Sequence, residues 1–318
     1  MPDLVRAYRA DMYTVVSDPQ KLPVVVGIDR ARDCLTIVDL GVAEATRRDA
    51  SLAIVHVWPS RYSGSTTVRN PLPTEAESRH LLEVAARRAL HLAPRLPVTT
   101  ELLSGRASAL LAERSATAQL LVVGHRDEAL THSSWGSTAT YLAHQSASPL
   151  LVHRGTAPPR GPVVVAASGG QRSTSTVACA YEEAARYGSH LVALHVSSFS
   201  SGPAASVVGG DHVPDRAEAE RHLAEALAGW AGIYPDVVVE HLIVQEIEIG
   251  YTLQRAARRS RLLVVGMGRT GRFAELVYGS LDSAAMHGAA CPVLLVPPGW
   301  PAQPAGEQTG IAASRAGA

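Results

Sequence analysis

A chain of 318 residues with 46% hydrophobic and 18% charged residues has the composition of a soluble globular protein, and its length suits two domains of ~100–200 residues each. Lys and Arg balance Asp and Glu at 29 each, which excludes the summed basic field that draws proteins onto nucleic acid or anionic membranes. The three cysteines, Cys34, Cys179 and Cys291, are too widely spaced for a disulfide framework or a metal-ligand pair, and a reducing cytoplasm is expected.

Residues 1–21 form an N-terminal extension with charges at Asp3, Arg6, Arg9, Asp11 and Asp18 and no apolar core of a signal peptide. A short helix or a loose segment is expected there. No later run reaches the ~18 apolar residues of a membrane span. A first domain covers 22–154, with strands expected near 23–28, 52–57, 97–103, 119–123 and 149–153 and helices near 33–48, 74–92, 106–117 and 137–146. The Thr74 to Glu77 stretch, TEAE, is a capping box that starts the second helix.

Residues 155–161 form a linker rich in Pro and Gly, after which the pattern is written again over 162–297. PVVVGID from Pro23 matches PVVVAAS from Pro162, and SLAIVHV from Ser51 matches HLVALHV from His190, both at an offset of 139. QLLVVGH from Gln119 matches RLLVVGM from Arg261 at an offset of 142. The second copy has strands expected near 162–167, 190–196, 236–244, 261–265 and 292–296. Its helices are expected near 172–187, 214–231, 249–259 and 280–288. Short Val/Leu/Ile runs alternating with helical segments indicate βαβ units around a parallel sheet buried on both faces. The fold class is therefore α/β, two tandem doubly wound three-layer domains of Rossmann-like type. Residues 298–318 offer little to bury and are expected to form a disordered tail.

In such sheets ligands bind beyond the carboxyl ends of the strands, where the strand order reverses. The segment after the fourth strand of copy two, GMGRTGRFAELVYGS from Gly266 to Ser280, has glycines that let a backbone approach a phosphate and a Gly-Ser that opens a helix. The other reading is that these glycines only make tight turns.

These residues resemble the universal stress protein family, in particular its members with two tandem domains, over about Leu22 to Pro297. The family's motif is an Asp closing the first strand and Gly, two residues, Gly, nine residues, Gly-Ser or Gly-Thr after the fourth. The resemblance implies an adenine nucleotide such as ATP in each domain, with Mg2+ held through its phosphates, and the adenine nucleotide alpha hydrolase-like fold. In copy one it assigns Asp29, Gly124, Gly136 and Ser137, with Asp127 at the middle glycine and a loop one residue short. In copy two it assigns Gly266, Gly279 and Ser280, with Arg269 at the middle glycine flanked by Gly268 and Gly271, and Ser168 in place of the Asp. It further implies pseudo-twofold pairing of the two domains and allows a homodimer.

His56 and His195, at the same place in each copy, read as satisfied strand histidines; His125 and His132 lack further ligands at metal spacing. Arg255 to Arg261 reads as a solvated helix end, and Trp135 and Tyr278 as packing at the loop base. No nucleophile, acid-base pair or triad emerges, so an enzyme is not expected. Three functions stay open: a stress protein regulated by an adenine nucleotide, an interaction protein whose nucleotide sites have decayed, and an adenylating enzyme. The last rests on SGGQRS, Ser168 to Ser173, which resembles the loop of the PP-loop ATP pyrophosphatases with Arg172 in place of an Asp.

Overall fold

The computed structural model describes residues 8–9, 22–31, 33–58, 73–124, 136–154, 158, 160–167, 174–197, 216–245, 255–256, 258–267 and 291–301. The first copy runs β2 (Val24–Ile28), α1 (Cys34–Arg47), β3 (Leu52–Trp58), α2 (Glu75–Leu92), β4 (Val98–Ser104), α3 (Ala107–Ser115), β5 (Leu120–Gly124), α4 (Gly136–Gln145) and β6 (Leu150–His153). The second runs β7 (Val163–Ala167), α5 (Thr174–Tyr187), β8 (Leu191–Ser197), α6 (Arg216–Leu227), α7 (Trp230–Ile233), β9 (Val239–Gln245), β10 (Leu262–Gly266) and β11 (Val293–Val296). The helix expected over 280–288 and nearly all of the expected tail lie outside the described residues, as does most of the helix expected over 249–259.

Two elements differ from expectation. Tyr8–Arg9 forms a strand, β1, antiparallel to β4 with Tyr8 opposite Leu102, instead of a helix or loose segment. An edge strand offers a row of unpaired N–H and C=O groups, and β1 covers part of that row on β4. The single helix expected over 214–231 is broken into α6 and α7 at Gly229, whose φ of 87° no continuing helix accommodates.

All pairings within each copy are parallel, in the order β4-β3-β2-β5-β6 and its repeat β9-β8-β7-β10-β11. The two sheets become one because β6 and β11 pair antiparallel, Leu151 opposite Leu294 and Leu150 opposite Leu295. SPLLV around Pro149 aligns with CPVLL around Pro292 at an offset of 143, which maps Leu151 onto Leu294, so the two copies meet at equivalent residues across an approximate twofold axis. The alternating side chains build two apolar layers that both run through the whole molecule. Val24, Val26 and Leu52 share one with Val163, Val165 and Leu191; Val25, Val55 and Leu121 share the other with Val164, Leu194 and Leu263.

Helix α1 carries Cys34, Ile37, Val38, Gly41, Val42 and Ala45 on its buried face at helical spacing. Gly41 lets it lie close on β2: a Cβ there would stand 2.2 Å from Val26 Cγ2. Helix α2 starts on the expected capping box. Glu77 N donates to Thr74 Oγ1 at 3.2 Å, and Thr74 N donates to Glu77 Oε2 at 2.7 Å.

The carboxyl ends of α1 and α5 meet between the copies. Tyr187 Oη donates to Glu44 Oε1 at 2.5 Å, and Arg48 donates to Glu183 Oε1 at 2.5 Å. At the offset of 139, Glu44 corresponds to Glu183 and Arg48 to Tyr187, so one contact is the symmetry mate of the other with its donor changed. Arg48 and Arg47 also pair with Glu44 within α1, and Arg186 pairs with Glu182 and Glu183 within α5. The Arg47 and Arg261 guanidiniums lie 4.5 Å and 4.3 Å from the centre of the Tyr187 ring. Buried charges persist only when paired, and removing one partner is costly.

Burial alone would raise the Glu44 carboxyl, but the Arg48 and Arg47 guanidiniums and the Tyr187 hydroxyl outweigh it and lower it from 4.5 to about 2. A depressed folded value contributes stability that is full above the unfolded value and is lost as the pH falls through the folded one. Neighbouring Glu182, raised by burial, works in the opposite direction. Glu44→Gln is therefore expected to cost about 3 kcal/mol at pH 7 and to flatten the loss of stability between about pH 4.5 and 2, read from urea midpoints across that range. Gly41→Ala is expected to cost about 1–3 kcal/mol in the same measurement at neutral pH, by forcing α1 off Val26.

Candidate functional site

In the first copy the strand order reverses at β2, with β3 and β4 to one side and β5 and β6 to the other. Such a reversal is where a ligand crevice is expected, beyond the carboxyl ends of β2 and β5. Asp29 directly follows β2, and its Oδ1 accepts from Ala31 N at 2.9 Å, which fixes the carboxylate at the strand end. Gly124 is the last residue of β5, and Gly136 and Ser137 are the first two of α4.

Three residues that the sequence reading did not select also stand at this crevice. Asp33 precedes α1 without capping it, and its Oδ2 lies 3.4 Å from the place a Cβ on Gly124 would occupy. The Cys34 thiol is pushed up to about 11, first by burial and then by the fields of Asp29 and Asp33. His153 ends β6 in register with Gly124; burial lowers its imidazole, against the opposing pull of Asp33. The crevice is thus acidic: it accepts hydrogen bonds from hydroxyls and amines and opposes bare anions. The signal for Asp33 was its place at the start of α1, four residues after Asp29.

Gly124 has a second role. A Cβ there would stand 2.3 Å from Ile37 Cδ1, so the glycine admits α1 onto the sheet. Gly266, ending β10, is matched in the same way by Thr176, whose Oγ1 would lie 2.7 Å from such a Cβ. Thr176 occupies in α5 the place of Ile37 in α1, at the offset of 139.

The structure brings Asp29 and Gly124 together at one crevice. Ser168, Gly268, Arg269, Gly271, Gly279 and Ser280 lie outside the described residues, as do Asp127, Arg172, His125, His132, Trp135 and Tyr278. His56 is buried, with Nδ1 2.9 Å from the Ile28 carbonyl oxygen and no partner at Nε2 among the described residues. Its position is that of a strand residue tying β3 to the end of β2. Arg255, Arg258 and Arg259 are exposed, as expected of a helix end, whereas Arg261 lies over Tyr187. No group of three or more metal-ligating side chains occurs among the described residues, and none of their helices is long and apolar enough to cross a membrane.

The model of the Universal stress protein family matches residues 22–154 and again 159–297. A universal stress protein of Mycolicibacterium smegmatis is 31% identical over 300 residues, covering 89% of this chain and 100% of its own length. One of Mycobacterium tuberculosis is 30% identical over 298 residues, covering 88% and 99%. Among solved structures, a universal stress protein from Archaeoglobus fulgidus aligns with a TM-score of 0.59 at 14% identity, covering 87% of this chain and 96% of that one. Two successive family matches, relatives aligned from end to end and a doubly wound sheet written twice make one assignment: the chain belongs to the universal stress protein family, as a member carrying two tandem copies of the domain.

Proposed function

We propose that the chain binds an adenine nucleotide, ATP in the first instance, as a regulatory ligand in stress adaptation, acting by binding and interaction and not by turnover. The observation that carries this reading is the Asp29 carboxylate, held by Ala31 N at the reversal point of the sheet beside the end of β5. A carboxylate there fits the hydroxyls of a ribose or an amino group of a base. The N–H groups of Gly136 and Ser137 at the start of α4 would hold phosphates. Asp33 beside Gly124 does not fit a bare phosphate, and Mg2+ bound with the nucleotide would offset that charge.

Each copy keeps a different part of the set of ligand groups. Where copy one has Asp29, Asp33 and Asp127, the aligned residues of copy two are Ser168, Arg172 and Arg269. Copy one carries the groups for the nucleoside end, and copy two the cations and glycines, Gly266, Gly268, Gly271, Gly279 and Ser280, for the phosphate end. A ligand that binds two conformations unequally shifts their populations, which is the form of regulation this reading requires. The second reading, an interaction protein with no nucleotide, is favoured by the close packing of Gly124 on Ile37 and of Gly266 on Thr176, which gives both glycines a purpose without a ligand.

Thermal unfolding with and without Mg-ATP separates the two readings. Free ligand at about 100 times its dissociation constant is expected to add about 2.7 kcal/mol. Asp29→Ala is expected to remove the contribution of copy one, and Gly279→Asp that of copy two. No shift at millimolar Mg-ATP, with no nucleotide released on denaturation, leaves the second reading standing. Asp33→Asn gives an independent check: it is expected to tighten copy one for ATP without Mg2+ by about three- to tenfold, through relief of like charge, in a titration of the Gly279→Asp background.

A further inference from the structure

At the amino ends of β8 and β9, away from the crevices, the second domain carries a groove of ≈ 550 Å³, a size that suits small-molecule sites of roughly 300–1,000 Å³. Two turns build it. One ends α5: Gly188, at φ 57°, donates its N–H to the Ala185 carbonyl at 3.1 Å, and Ser189 N donates to that of Ala184 at 3.0 Å. The other turns at Pro235 and Asp236, closed by Val237 N donating to the Tyr234 carbonyl at 3.2 Å.

The wall is largely apolar and stands on an aromatic core. Tyr234, buried to 5% exposure, stacks on Tyr181 with ring centres 6.0 Å apart, and Tyr181 stacks on Trp230 at 6.2 Å, which fixes the turn that lines the groove. Ile233 and Val238 line it while remaining 50% and 72% exposed, an apolar patch with a polar rim. Asp236 is the carboxylate on its wall, and His190 is the other titratable side chain lining it. Asp236 is exposed at the tip of its turn and forms no ion pair among the described residues. The carboxyl end of the 14-residue helix α5 adds partial negative charge, and Arg186 of its last turn is held by Glu182 and Glu183.

Copy one has both turns, with Asp49 N donating to the Thr46 carbonyl and Leu96 N to that of Ala93. There Ala93 stands in the place of Tyr234 and Arg95 in the place of Asp236. The aromatic anchor of the turn and its acidic tip are therefore particular to copy two, on a scaffold that accepts other residues at both positions.

We propose that this groove binds a small amphipathic cation: an aromatic amine whose ammonium meets Asp236 and the carbonyl end of α5, and whose apolar body lies against Ile233 and Val238. The site is independent of the nucleotide crevices. Its test is an amide NMR titration of the whole chain with phenethylamine and, separately, with phenylacetate, which presents the same ring with the opposite charge. Phenethylamine is expected to bind with a dissociation constant on the order of millimolar and to shift the amides of Ser189 and of Asp236 to Val238, with phenylacetate at least about tenfold weaker. Asp236→Asn is expected to weaken phenethylamine by about three- to fivefold, and Asp236→Arg, which copies Arg95, by about tenfold or more while improving phenylacetate. Absence of shifts at about 10 mM phenethylamine, equal affinity for the two probes, or unchanged binding in Asp236→Arg overturns the proposal.

Discussion

The antiparallel pairing of β6 with β11 is the constraint on which the rest of the molecule depends. Each copy, taken alone, would end its parallel sheet on a short strand of buried leucines and valines with one row of backbone groups unpaired. Such an edge invites another strand, and the chain supplies its own equivalent strand from the other copy. Because Leu151 lies opposite Leu294, the pairing is self-complementary and fixes the register for both copies at once. The two apolar layers then run unbroken from one copy into the other, so neither copy has a core separate from its neighbour.

That pairing also brings the carboxyl ends of α1 and α5 together, and duplication explains what is found there. A self-complementary interface of identical copies would place Glu44 and Glu183 in the same environment twice. The two halves have instead diverged: Arg48 serves Glu183, and Tyr187 serves Glu44. Three carboxylates, Glu44, Glu182 and Glu183, face the guanidiniums of Arg47, Arg48 and Arg186, with Tyr187 supplying a hydroxyl where a second arginine would have added unbalanced charge. A buried cluster of this kind adds little net stability over an apolar contact but penalises every misaligned arrangement of its members. The β6 and β11 ladder sets the register of the strands, and the cluster sets the helices over it.

Much of this was legible in the sequence for one physical reason: parallel strands covered on both faces must be nearly continuous Val/Leu/Ile runs, and those runs recur at fixed offsets. The capping box at Thr74 was legible because both of its bonds are local. What escaped was non-local or depended on backbone direction. Glu44 and Tyr187 are 143 residues apart, and nothing local to either predicts that they touch. Asp33 stands at the N-cap of α1, yet its carboxylate makes no cap hydrogen bond and lies beside Gly124. Gly124 and Gly266 read as ligand-approach glycines, but the packing of Ile37 and Thr176 shows that helix-to-sheet distance already requires them. A glycine at the end of a buried strand therefore carries less functional information than its place in a motif suggests.

Helices α1 and α5 each join two places of different character. At its amino end α1 presents Asp33 and Cys34 to the crevice, and at its carboxyl end it presents Glu44 and Arg48 to the other copy; α5 begins beside Gly266 and ends at Glu183 and Tyr187. A close-packed helix moves as a body, so displacement at one end must be absorbed by the side chains at the other. Buried ion pairs resist that displacement more steeply than apolar contacts, because a guanidinium drawn away from its carboxylate leaves two desolvated charges. Two outcomes follow for any ligand seated in a crevice. One that fits the existing position of α1 leaves the cluster unaltered and stays a local event. One that shifts α1 must work against the Glu44, Arg48, Glu183 and Tyr187 contacts, and its affinity then depends on the state of the other copy, since a coupling free energy acts equally on both sites.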